Sequence, residues 1–303
     1  MGCEPIRRAS DPALVEDAAR AIRLDALSDR HFRTLTAFIE SEVGIRLPPS
    51  KRTMVEGRLR RRVKALGLHD LDDYARFVFD RGGLASESVQ LIDCMTTNKT
   101  DFFREPEHFH MLAQKIMPQL LAQRRSRTDR LNVWSAASSI GAEAYTIAMV
   151  LADLAKVESF HFRILGTDIC SAALEQAKRA IYPEEMLAPT PPAMRERYVM
   201  RSRDPARREA RIVPELRRLT RFERLNLMDS SYPADDDMDV IFCRNVLIYF
   251  SAATQHAVVA NLCRHLRPGG YLLLGHSESM AGAKQPGLRQ IASTVYRREG
   301  GRA

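Results

Sequence analysis

The chain has no long hydrophobic run. Its longest purely apolar stretch, Ile147 to Ala152, falls far short of the ~20 residues that a membrane-spanning helix needs, so no membrane insertion is expected. The opening residues Met1-Gly2-Cys3-Glu4-Pro5 lack the apolar core of a secretory signal. Cysteine is sparse: Cys3, Cys94, Cys170, Cys243 and Cys263 are odd in number and never spaced C-x-x-C. That argues against a disulfide scaffold or a zinc ribbon and fits a reducing cytoplasm. The eight histidines include no H-E-x-x-H, and His108 and His110 lack helix-face metal spacing, so no metal site is expected. There is no G-x-G-x-x-G and no Walker A lysine. Gly275-His276-Ser277-Glu278-Ser279 lacks the last glycine of a nucleophile elbow. Internal repeats and low-complexity blocks are also missing.

What remains is a chain of 303 residues, 45% hydrophobic and 28% charged, with a formal charge of +8. This length accommodates one large or two smaller domains and a sizeable core. The excess of basic residues points to an acidic partner without saying which kind.

The organisation changes along the chain. Residues 1–27 are charged and alanine-rich and read as a loose arm, with at most a short helix near Pro12–Leu24. Residues 28–95 read as four short helices. Ser28 caps the first, with Phe32, Leu35, Phe38, Ile39 and Val43 on one face and Gly44 as its stop. Ser50 opens the second, which ends at Gly67; Asp70 opens the third and Ser86 the fourth. An all-α N-terminal domain follows from this. Residues 96–130 read as a linker and helix beside a pocket. From 131 to 303 strands alternate with helices: Leu131–Ser135, Phe160–Thr167, Asp239–Cys243 and Tyr271–Leu274 are strand-like, with a turn at Arg267-Pro268-Gly269-Gly270. The pattern implies an α/β fold with a mostly parallel, doubly wound sheet. Leu288–Arg297 suits an antiparallel edge hairpin, and 195–224 a small antiparallel insert.

Four segments could carry chemistry, because ligands in such sheets bind outside the carboxyl ends of the strands. The loop from Ser135 to Glu143 is rich in small residues, and Gly141 permits positive φ. Asp168, ending Gly166-Thr167-Asp168, is placed either to accept from the hydroxyls of a ribose or to cap the next helix. Arg244, Asn245 and Tyr249 follow a buried strand, where packing alone does not explain polar groups. Thr96 to Glu105 mixes polar and aromatic residues as a loop folded over a pocket does.

Taken in order, TTNKTDFFRE, VWSAASSIGAEAYTIAM, LGTDI, LNLMD, IFCRNVLIYF and RPGGYLLLGHSES resemble the chemotaxis receptor glutamate methyltransferases (CheR-type), over about residues 28 to 297. The resemblance implies an all-α domain joined to a Rossmann-like methyltransferase domain carrying a small antiparallel β-subdomain. It implies S-adenosylmethionine as cofactor, S-adenosylhomocysteine as product, and glutamate side chains of chemoreceptor cytoplasmic helices as acceptors. Carried over by motif, Asn98, Thr100, Arg104, Glu143, Asp168, Asn226, Leu227, Arg244 and Asn245 would line the cofactor pocket. Arg104 and Tyr249 would face the incoming glutamate as the catalytic pair. No base, nucleophile or metal is required, because a carboxylate acceptor is already ionised near pH 7. The family loop reads S-T-G-E-E-P-Y. Here Ile140, Ala142 and Ala144 replace its threonine, first glutamate and proline, which raises a second reading: a non-catalytic or altered-substrate signalling module that keeps the fold.

The positive charge is local. Lys51–Lys64 carries +6, including Arg52, Arg58, Arg60, Arg61 and Arg62, against the single acid Glu56. In the family a basic N-terminal helix docks the receptor, and these five arginines are the expected docking residues. No helix-turn-helix pattern supports a nucleic-acid role. Arg195–Arg224 carries another +6. There the family's β-subdomain takes a receptor C-terminal peptide by strand addition, although the turn Ser202-Arg203-Asp204-Pro205 lacks the glycine of the tether-binding members. A cytoplasmic monomer is expected.

Overall fold

The computed structural model describes residues 26–123, 130–204, 206–278 and 286–300. The expected short helix near Pro12–Leu24 lies outside the described residues. The chain forms two compact units. One takes residues up to Ser41 together with Leu47–Met95, and the other takes Glu42–Arg46 together with everything from Thr96.

The first unit is helical. Its elements are α1 (Asp29–Val43, whose last two residues count with the second unit), α2 (Arg52–Leu66), α3 (Leu71–Ala75) and α4 (Leu84–Met95), with a wide π turn over Arg76–Asp80. Leu35, Ile39, Val55, Leu59, Leu71, Tyr74 and Leu91 are fully buried and form its core. Two boundary signals act as expected. Asp70 Oδ1 accepts from the Asp73 N–H (2.7 Å), and Gly67 closes α2 in the left-handed region at φ 65°. Two do not. Ser50 sits inside a 3₁₀ turn (Pro49–Lys51) and caps nothing, because Pro49 already sets the turn. Ser86 lies inside α4 and donates its hydroxyl to the Gly83 carbonyl (2.9 Å).

The second unit is built on a seven-stranded sheet. Helices α5 (Pro106–Met111) and α6 (Met117–Ala122) precede it. Its strands and helices are β1 (Arg130–Ala136), α7 (Ala142–Leu154), β2 (His161–Asp168), α8 (Ser171–Arg179), β3 (Ile181–Pro183), α9 (Pro192–Tyr198), β4 (Val199–Arg201), β5 (Glu209–Ile212), α10 (Pro214–Leu219), β6 (Thr220–Arg224), β7 (Met238–Cys243), α11 (Ala252–His265), β8 (Leu266–Leu274), β9 (Leu288–Ala292) and β10 (Val295–Arg298). The sheet order is β6-β2-β1-β7-β8-β10-β9. The first five strands run parallel, and β10 and β9 add an antiparallel hairpin in which β9 is the edge. Strand β7 is buried throughout, as a parallel strand covered on both faces must be. The order reverses at β1, which makes the carboxyl ends of β1 and β7 the switch point where a crevice opens.

The structure redraws two boundaries. The small antiparallel sheet is β3-β5-β4, so it begins at Ile181 rather than 195. Residues 220–224, read as part of that insert, form β6 and pair parallel with Ile164–Asp168 at the edge of the main sheet. The edge position explains the misreading: Thr220 and Phe222 point inward while Arg221, Glu223 and Arg224 face solvent. Arg267–Gly270 is a bulge within β8 rather than a turn ahead of it, because Leu266 already pairs with Met238. No described helix is long and apolar enough to cross a membrane.

Candidate functional site

A pocket with about 960 Å³ of empty space lies at this switch point, within the second unit. Asn98, Thr100, Arg104, Glu143, Asp168, Asn226, Leu227, Arg244, Asn245 and Tyr249 all line it. Ten positions from five sequence segments therefore meet around one space.

The loop after β1 is folded by backbone bonds. Ser138 N–H donates to the Thr167 carbonyl (2.8 Å), and Gly141 N–H to the Ser138 carbonyl (2.9 Å). Ala137 (φ 58°), Ser139 (φ 51°) and, on another wall, Asn245 (φ 61°) hold left-handed backbones that are uncommon for residues with a side chain. Such conformations cluster where the surrounding fold over-determines them, often at functional sites. Asp168, at the end of β2, is 7% exposed. Its Oδ2 accepts from Ser139 N–H (2.8 Å) and its Oδ1 from Cys170 N–H (2.9 Å). It thus ties the β1 loop to the start of α8 while lining the pocket.

Arg244 is the hub of the opposite wall. Its Nη1 donates to Glu143 Oε2 (3.0 Å), and its Nη2 to the Arg104 carbonyl (2.6 Å) and Glu105 Oε2 (3.0 Å). The guanidinium lies 5.4 Å from the Phe109 ring centroid, within cation–π range. Glu143 also accepts from the Ser135 hydroxyl (2.7 Å). Burial pushes the Glu143 carboxyl above its usual range, against the pull of Arg244. Burial also acts upward on Glu105, but the Asn245 amide and the Arg244 charge outweigh it and hold that carboxyl low.

Three supporting residues escaped the sequence reading. Glu105 takes up Arg244 and, through Oε1, the Asn245 side-chain amide (3.0 Å). Glu278 is 4% exposed, and its carboxylate accepts from the backbone N–H groups of Asn245 (2.8 Å), Leu247 (2.7 Å) and Gly275 (2.6 Å). It therefore shapes the loop that carries Asn245 and Tyr249. Ser135 orients Glu143. Glu105 and Ser135 had local signals, the first in the polar run after Thr96 and the second at the start of the small-residue loop after β1. Glu278 is 33 residues from the loop it holds, and nothing near it in sequence marks that role.

Arg104 and Tyr249 are held differently. Arg104 donates only to the Lys99 carbonyl (3.2 Å) and has no carboxylate partner among the described residues. Tyr249 sits in a 3₁₀ turn (Leu247–Tyr249), and its backbone carbonyl accepts from Arg46 N–H (3.2 Å). Both residues line one pocket, and neither side chain is paired with a carboxylate among the described residues. Cys243, beside Arg244 in sequence, is fully buried, and burial pushes its thiol well up, so it is no nucleophile.

The unusual loop residues lie elsewhere. Ala142 and Ala144 are fully buried in the core, and Ile140 packs against it. Glu143, Ser138 and Ser139 line the pocket; Ile140, Ala142 and Ala144 do not. The three replacements that raised the non-catalytic reading thus lie in or against the core and not in the pocket lining.

The five candidate docking arginines separate on α2. Arg52 donates to the Leu27 carbonyl (2.7 Å) and pairs with Asp29. Arg58 donates to the Met95 carbonyl (2.7 Å) at the end of α4. Arg62 makes a two-pronged bond to buried Glu87 (3.1 and 2.7 Å). These three bond to other segments of the helical unit. Arg60 and Arg61 are exposed.

The donor set suits S-adenosylmethionine. An acid ends β2, Glu143 and Arg244 offer charges of both signs, and Ile169, Leu225 and Leu227 supply an apolar wall. Comparison with known families agrees. Residues 98–297 match the CheR methyltransferase SAM binding domain, and residues 30–96 the CheR methyltransferase all-alpha domain. The chain is 37% identical over 274 residues to the chemotaxis protein methyltransferase of Klebsiella aerogenes, covering 90% of each chain. It is 38% identical over 256 residues to that of Escherichia coli K12, covering 84% of this chain and 86% of the relative. Against that of Salmonella typhimurium it is 38% identical over 274 residues, with 89% and 91% covered. The pocket lies within the span that matches the SAM binding domain, and the chain belongs to the CheR methyltransferase family.

Proposed function

We propose that the protein forms 5-O-methyl esters on glutamate side chains of chemoreceptors. The observation that carries this reading is that Arg104, with no carboxylate partner among the described residues, and Tyr249 line one pocket whose neighbouring thiol, Cys243, is buried and no nucleophile. When bound, S-adenosylmethionine supplies an electrophilic methyl group. The acceptor carboxylate is ionised at neutral pH, so no residue of this chain has to remove a proton. Arg104 orients the carboxylate by charge-assisted hydrogen bonds, and Tyr249 adds a second donor. Their task is positioning, which supplies much of the rate when the reacting groups already carry the needed charges. Asp168 holds the ribose; Glu143, Arg244 and Asn245, braced by Glu105 and Glu278, keep the opposite wall in place. Asn98, Thr100, Asn226 and Leu227 complete the cofactor pocket. The exposed pair Arg60 and Arg61 faces the acidic receptor helix, and the β3-β5-β4 sheet takes a receptor C-terminal peptide at its edge.

The test is transfer of labelled methyl groups from S-adenosylmethionine to receptor cytoplasmic fragments. Base-labile label that disappears when receptor glutamates are changed to glutamine is the expected result. Tight cofactor binding with no label on any receptor of the organism would overturn the reading. Arg104→Lys should reduce kcat about 10²-fold or more while leaving receptor binding intact, as loss of a planar two-pronged orienting group does.

A further inference from the structure

His108 carries an anomaly that the methyl-transfer site does not use. It lies on α5, is 3% exposed, and its Nδ1 has no hydrogen-bond partner. The opposite ring nitrogen, Nε2, is 2.9 Å from Thr294 Oγ1. The Thr294 hydroxyl donates to the Ser293 carbonyl (2.7 Å), so it accepts from His108 Nε2–H. In the tautomer that donates through Nε2, Nδ1 holds the bare lone pair. Burial, joined by the Arg244 charge, brings the His108 pKa down to about 4, so the ring stays neutral at physiological pH.

That lone pair faces other ligand atoms. Glu105 Oε2 lies 3.5 Å from His108 Nδ1 and 3.8 Å from His276 Nε2, and the three atoms fall within 4.8 Å of one another. A lone pair opposite a carboxylate oxygen is repulsive unless a proton or a metal cation lies between them. Ligands about 2.0–2.2 Å from a tetrahedral metal stand about 3.3–3.6 Å apart, so the first two separations nearly match such a shell. Glu105 Oε2 also accepts from Arg244, but a carboxylate oxygen has lone pairs enough for both. Glu105 and Glu143 share the Arg244 guanidinium. His276 is 55% exposed and opens the cluster to solvent.

We propose that Glu105, His108 and His276 form a binding site for a borderline divalent transition metal of the zinc class. Histidine nitrogen with one carboxylate oxygen is the donor set such ions favour, and the Thr294 bond supplies the outer-shell support that a metal-bound imidazole typically has. The metal joins the turn before α5 to the segment after β8, which also carries Glu278. Its role is to brace the wall beneath Arg104 and Asn245.

The test uses the untagged full chain, stripped with a chelator, and titrates zinc by calorimetry and cobalt by visible absorption. One equivalent should bind. His276→Ala, at an exposed position that leaves the fold intact by circular dichroism, should weaken binding at least about tenfold. His110→Ala, on the same helix but outside the cluster, should bind as the parent does. Lack of stoichiometric binding by the parent, or equal affinity in His276→Ala, overturns the proposal. Cobalt spectra showing thiolate ligation overturn it too.

Discussion

At the scale of single residues, Asp168 does two things that could have been alternatives. Its carboxylate pins two backbone N–H groups, and it lines the pocket. Asp168→Ala orphans the Ser139 and Cys170 amides, each at a cost of about 1–3 kcal/mol. It should lower stability by that order in denaturant melts and raise the S-adenosylmethionine Kd beyond tenfold by calorimetry. Retained affinity would mean that Asp168 serves the loop alone. Asp168, Arg244, Asn245 and Tyr249 were legible in the sequence because each follows a strand that its own pattern identifies. Glu278 was not, since a buried acid looks like any other until the four-residue span it holds folds around it.

At the scale of elements, a short segment does unexpected work. Glu42–Arg46 follows the helical face of α1, yet Val43 and Ile45 line the pocket of the second unit. Gly44 turns the chain there at φ 73°, and an added Cβ would sit 2.6 Å from Met228 Sδ and 3.0 Å from Phe250. Gly44→Ala should therefore cost about 1–3 kcal/mol from overpacking and a strained backbone, and should weaken cofactor binding with it. Thermal melts and calorimetry on the same sample check both. In the helical unit, Asp72 accepts from Ser28 N–H (2.9 Å) and from His31 (2.8 Å), joining the start of α1 to α3. Burial alone would raise its pKa, but these bonds win and hold it below the ordinary value of 3.8. A depressed carboxyl contributes stability that is present above its unfolded pKa and lost as the pH falls through the folded one. Stability should thus decline below about pH 4, and Asp72→Asn should flatten that part of the curve in denaturant melts across the acid range. The caps at Asp70 and Gly67 were readable because capping is local. The β6 assignment was not, because an edge strand with one exposed face reads the same in either sheet.

At the scale of the whole molecule, the net charge of +8 does not describe one uniform basic surface. On α2, three of the five arginines serve the interior of the helical unit, and Arg60 and Arg61 remain exposed. Replacing both by serine should raise the KM for receptor about tenfold and flatten its salt dependence, with the S-adenosylmethionine Kd unchanged. Methylation kinetics at several ionic strengths measure this. An unchanged salt slope would place receptor docking elsewhere. The sequence by itself determined the helix-then-α/β order, most of the strand and helix limits, and the ten positions that face the pocket. Those properties follow from periodicity, from short-range caps, and from motifs that stay contiguous in the chain. Only the tertiary structure decided which charges are spoken for. Arg244 meets Glu143 across 101 residues and Glu105 across 139, and Glu278 reaches back 33 to Asn245. His108 and His276 come together from opposite ends of the domain. A buried charge or lone pair must find a partner wherever the fold delivers one, and no local pattern states where that will be.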